Sequence, residues 1–85
     1  MNELLHIGFG AYINMCKVIL ITDMDAAKLK RELEKRGIDK ASSKFWNSAG
    51  AKEISSVILC DDGMWVTSAL GADTLYKRFK EIKGG

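Results

Sequence analysis

Few side chains in this 85-residue sequence combine type and spacing in a way that supports covalent chemistry. His6 is the single histidine, and it alternates with apolar residues in Leu4-Leu5-His6-Ile7. That setting predicts a structural or edge residue, and a two-histidine metal site cannot be assembled. Asp61-Asp62 precedes Gly63, where turn formation accounts for the acidic pair. Gly8 and Gly10 make a Gly-x-Gly, but the segment after them reads as a strand. A phosphate-binding loop needs a helix N-terminus behind its glycines. Ser42-Ser43 and Ser55-Ser56 have no base beside them, so no nucleophile-base-orienter set forms. The expectation is a binding protein with no catalytic residues, no metal, no cofactor and no small-molecule substrate.

The remaining candidates are basic. Lys17 stands at the head of an apolar run, while Lys40, Lys44 and Lys52 surround the aromatic pair Phe45-Trp46. Lysines interleaved with aromatics suit phosphate contact with stacking. An equally simple reading is ordinary surface lysines around a buried Phe-Trp pair. Thirteen basic and eleven acidic residues leave a formal charge of only +2. One protomer with that balance lacks the broad field of a histone-like protein, so clustering or a ring of copies has to supply it.

The elements that position these residues follow from periodicity. Leu4–Phe9 reads as a strand, with Gly8 and Gly10 marking a bend or bulge into the next one. Tyr12–Thr22 reads as the strongest strand. Its centre, Val18-Ile19-Leu20-Ile21, is apolar enough to expect cover on both faces, one from a helix and one from a second copy. Asp23 is the expected cap of a first helix, with Asp25 in its first turn. Ala26, Leu29 and Leu33 form its inner stripe, Glu32 and Arg36 pair at i,i+4, and Gly37-Ile38 ends it. Residues 42–55 read as a loop or arm containing a short strand near Lys44–Trp46, flexible beyond it.

Ser56–Cys60 and Met64–Ser68 predict a hairpin around Asp61-Asp62-Gly63. Val57, Leu59, Met64 and Val66 are assigned to one face; Ile58, Cys60 and Trp65 to the other. A last helix over 72–83 carries Leu75, Phe79 and Ile82 on one stripe and Lys77, Arg78, Lys80 and Lys83 elsewhere. The sum is one α/β (α+β) domain over 1–85, a sheet of about four to five strands with two helices, in the order β-β-α-(β)-β-β-α. Cys16 and Cys60 lie in apolar runs and read as reduced core residues. Met1-Asn2-Glu3 lacks the positive start of a signal peptide, and no apolar run spans a bilayer. A cytoplasmic protein without membrane contact is expected.

Two blocks of these residues resemble the RemA-like family, bacterial regulators of extracellular-matrix (biofilm) genes. The first runs from Leu5-His6-Ile7-Gly8-Phe9-Gly10 through Lys17-Val18-Ile19-Leu20-Ile21 to Leu29-Lys30-Arg31. The second joins Ser56-Val57-Ile58-Leu59-Cys60-Asp61 to Thr67-Ser68-Ala69-Leu70, Asp73-Thr74-Leu75 and Arg78-Phe79. The resemblance implies a regulator that binds double-stranded DNA as a homo-oligomeric ring, with contacts at the positions of Lys17 and Lys52; Lys44 and Lys40, read from the basic–aromatic arm, complete the candidate DNA-facing set. Family members carry an arginine at the position of Lys17 and an arginine-rich stretch where this chain reads Ala51-Lys52-Glu53-Ile54-Ser55. The loop before that stretch is longer here, and the segment around Gly37-Ile38-Asp39 is shorter. These departures favour a second expectation, an oligomeric interaction or scaffold protein that has lost DNA binding.

Overall fold

The computed structural model describes residues 3–8, 10–39, 41–49 and 52–84. It contains strands β1 (Leu4–Gly8), β2 (Ala11–Asn14) and β3 (Val18–Asp23), helix α1 (Ala26–Lys35), strands β4 (Phe45–Asn47), β5 (Ser56–Cys60) and β6 (Trp65–Ser68), and helix α2 (Ala72–Gly84). β1 and β2 form a two-stranded antiparallel ribbon. The other strands form a four-stranded sheet in the order β3-β5-β6-β4, antiparallel except where β4 runs parallel to β6. The α+β class is as expected, with six strands in place of four to five.

The extra strand arises because the expected Tyr12–Thr22 strand is two. Asn14 accepts from the Cys16 amide at 2.9 Å and starts a 3₁₀ turn over Met15–Lys17. A short polar side chain that bonds the backbone two residues on offers an alternative to the strand ladder. The side chain of Met15 is buried and anchors the break. Gly8 and Gly10 have φ of 103° and 69°, and the β1–β2 register shifts between His6 and Gly8. The bend expected there is therefore a hairpin with a bulge.

The four-stranded sheet is packed on both faces. On one, Ile58, Cys60 and Val66 meet Leu5 and Ile7 of the ribbon, Met15, and Leu75 of α2. On the other, Val57 and Trp65 meet Leu29 and Leu33 of α1, with Leu59 and Phe45 beside them. The hairpin faces thus differ from the sequence expectation, because Ile58 pairs with Val66 and Leu59 with Trp65. The Gly63 amide donates to the Cys60 carbonyl, the Cys60 amide to the Met64 carbonyl, each at 3.0 Å, and Gly63 has φ of 84°. This is a three-residue loop closed by a left-handed glycine, and its register puts Trp65 on the same face as Leu59. A one-residue slip exchanges every side chain between faces.

Asp25, with ψ of 172°, caps α1 by accepting from the Lys28 amide at 2.8 Å. This corrects the assignment of that role to Asp23. Asp23 remains in β3 opposite Ser56, and its carboxylate accepts from the Ala72 amide at 2.9 Å. Gly71, which accepts from the Leu75 amide, has no side chain to cap α2 itself, so Asp23 supplies the acceptor from the sheet. At the end of α1, Gly37 has φ of 68°, its amide donates to the Glu34 carbonyl, and the Ile38 amide donates to that of Leu33. Those two bonds form the expected glycine stop. Among the described residues no helix is long and apolar enough to cross a membrane.

Candidate nucleic-acid interface

Lys17 and Lys44 converge on the β5–β6 turn. The carbonyl of Lys17 accepts from the Asp61 amide at 2.8 Å, and Lys44 Nζ donates to the Asp62 carbonyl at 3.2 Å. The two lysines precede β3 and β4, the two edges of the sheet, so three strand spacings separate their backbones, roughly 14 Å. Asp61 and Asp62 lie exposed between them. Asp62 also accepts from the Met64 amide at 3.0 Å, which is the turn-forming role its sequence position implies.

Lys52 belongs elsewhere. Its amide donates to the Ala49 carbonyl, and Glu53 follows it directly. The adjoining Ser55 is bonded to Met24 and Ser68, at the end of the sheet away from the turn. Lys40 lies outside the described residues. One protomer therefore brings two of the four lysines named from the sequence to a common turn and holds Lys52 at the opposite end. Asp61 and Asp62 share the turn with the first two, and Glu53 follows Lys52 in sequence.

Phe45 is half-buried in the α1-side core and Trp46 is 56% exposed, so the aromatic pair is divided between interior and surface. The segment after it is tied down by Ser48, whose hydroxyl donates to the Thr67 carbonyl, and by Asn47, which accepts from the Thr67 hydroxyl at 2.7 Å. β3 is covered only in part by its own chain. It is an edge strand, with Ile19 67% and Leu20 47% exposed. Val18–Ile21 and the α2 residues Ala72, Asp73, Tyr76 and Phe79 line a groove of about 380 Å³ along it.

His6 is structural. Arg78 Nη1 lies 3.0 Å from His6 Nδ1 and donates to the His6 carbonyl at 3.2 Å. A guanidinium only donates, so Nδ1 accepts and the ring proton sits on Nε2. The imidazole also lies 4.9 Å from the Tyr12 ring. Neither this clamp between β1 and α2 nor the Asp23 cap was legible from local pattern, because the partners are 72 and 49 residues apart. Both cysteines are free. Cys60 is buried, but Cys16 is exposed on the 3₁₀ turn, correcting its placement in the core. Among the described residues no group of three or more His, Cys, Asp or Glu is arranged to hold a metal ion.

A family pattern described as RemA-like, extracellular matrix regulatory protein A-like, matches residues 4–79. A protein of Dehalococcoides mccartyi (strain CBDB1), named only as a regulatory protein, is 30% identical over 83 residues, covering 98% of this chain and 83% of the relative. A similarly named protein of Coprothermobacter proteolyticus is 31% identical over 77 residues, covering 91% and 70%. One from Lachnoclostridium phytofermentans is 30% identical over 81 residues, covering 95% and 86%. With the match continuous from β1 into α2, this chain belongs to the RemA-like family of regulatory proteins.

Proposed function

We propose that this chain is a DNA-binding transcriptional regulator, acting in the bacterial cytoplasm on extracellular-matrix (biofilm) genes as a ring-like homo-oligomer. It contacts phosphates rather than bases, and no catalytic step, cofactor or small-molecule substrate is assigned to it. The observation that carries the reading is the open edge of β3. Ile19, Leu20 and Tyr76 are all exposed along it, and Lys17 stands at its head. A patch of large apolar side chains on a domain this small favours association. A neighbour seated there brings copies of Lys17 into one array, and repetition supplies the positive charge that one protomer lacks.

A second reading keeps the oligomer without DNA. Asp61 and Asp62 beside Lys17 and Lys44, and Glu53 beside Lys52, favour it. The two separate in one experiment, a mobility shift on long duplex DNA run on samples whose mass is measured by light scattering. The regulator reading predicts an oligomer that retards DNA. An oligomer that leaves DNA unretarded selects the scaffold reading, and a monomer at high concentration removes both.

A further inference from the structure

Charge in this protein is segregated by secondary structure. The stretch Ala26–Arg36, which is α1 with its C-cap, holds five basic side chains against two acidic, and α2 holds four against two. All other residues hold four lysines against seven carboxylates. The sheet and loops that carry Lys17, Lys44 and Lys52 are thus net negative, and the positive excess lies on the helices.

On α1 the excess faces outward. Leu29 and Leu33 are buried under the helix, so a period of about 3.6 residues sets Arg31 on the opposite side, with Lys28 and Lys35 flanking it. All three are exposed. They stand at i, i+3 and i+7, a row about 10 Å long. Glu32 lies 3.6 Å from both Lys35 and Arg36, and Arg36 also sits 5.3 Å over the Trp65 ring. Among the described residues no ion pair involves Lys28 or Arg31, and Lys35 shares its carboxylate with Arg36.

We propose that the outward row Lys28–Arg31–Lys35 of α1 is a contact surface for the phosphate backbone of duplex DNA. It supplies a larger share of the binding charge than Lys17 and Lys44, which share their turn with Asp61 and Asp62. The inference rests on the proposed DNA binding and moves its principal contact onto a rigid helix. Charge complementarity selects the occupant, since three cations on a helix face match a repeating row of phosphates. A bilayer surface fits less well, because an interfacial helix needs large apolar residues to insert beside its basic ones. The residues around the row are Ala27, Glu32 and Glu34, none of them large and apolar, and the leucines are committed to the core.

The test compares the full chain with Lys28→Ala/Arg31→Ala/Lys35→Ala and with Lys17→Ala/Lys44→Ala. The readouts are anisotropy of a labelled duplex at several salt concentrations, oligomeric mass, and sedimentation with phosphatidylserine vesicles. Alanine is the best helix former, so the triple variant keeps α1. The expected result is unchanged mass, affinity weakened by about tenfold or more, and a log–log salt slope flattened by about 0.9 for each phosphate given up. The double variant loses less, and Arg31→Lys stays close to wild type. A triple variant that binds the duplex like wild type overturns the inference and leaves the DNA-binding reading standing. Wild type that fails to bind DNA removes that reading and this inference with it. A change of mass in the triple variant makes the row a contact between copies, and loss of vesicle binding alone makes it a membrane surface; either overturns the proposal.

Discussion

Arg78 joins the two ends of the chain through one guanidinium nitrogen, which reaches the ring and the carbonyl of His6. Hydrogen bonds from a charged donor contribute about 1.5–3 kcal/mol each where the acceptor is otherwise left unpaired. Arg78→Ala is expected to lower stability by about 2 kcal/mol in urea unfolding, and an unchanged midpoint would deny the clamp any role. The cysteines, alike in their sequence settings, differ in burial. Burial, then Asp62 and Asp61, raise the Cys60 thiol above its ordinary 9.0, with Lys17 pulling the other way. The folded protein therefore keeps a proton that the unfolded chain releases. This leaves stability untouched below pH 9 and lowers it as pH climbs further, a component absent from Cys60→Ala. In neutral buffer, mass spectrometry after iodoacetamide should show the exposed Cys16 modified and Cys60 spared; equal labelling would contradict the placement of both.

At the scale of elements, local chemistry was legible wherever the partner is local. The stripe of α2, the Glu32–Arg36 pair, the Gly37 stop and the turn aspartates all follow from spacings within one or two turns of chain. What failed was whatever required a distant partner or an exact register. Asp23 and Asp25 both suit a helix cap, and only the packing of β3 against β5 decides that Asp23 serves α2. Leu59 and Trp65 share a face because the loop has three residues. Substitutions measure these devices. Asp25→Ala and Asp23→Ala should each cost about 1 kcal/mol, from uncapping α1 and α2 respectively. Gly37→Ala, at a φ of 68°, should cost about 1 kcal/mol or more. If Asp23→Ala left the amides of α2's first turn as protected from hydrogen exchange as in wild type, the cross-element cap would be refuted.

For the molecule as a whole, the sequence disclosed the family and the scarcity of charge, but not where the charge resides. Lys17, Lys44 and Lys52 look like one basic set when read along the chain; folding divides them between two ends of a sheet and sets the first two at the turn that carries Asp61 and Asp62. The exposed β3 edge appears only once the strand order is known, whereas the inner stripe of α1 read from the sequence already implies the cationic row opposite it. Both bear on the proposed account, in which a protomer of charge +2 would bind a polyanion through repetition. The most direct measurement is the salt dependence of wild-type affinity for a long duplex, made alongside oligomeric mass. Several copies acting together predict a log–log slope of about −8 or steeper, beyond the roughly −5 that the six cations named on one protomer can give at about −0.9 per phosphate. A slope of about −5 or shallower, or full binding by a monomer, would contradict the account.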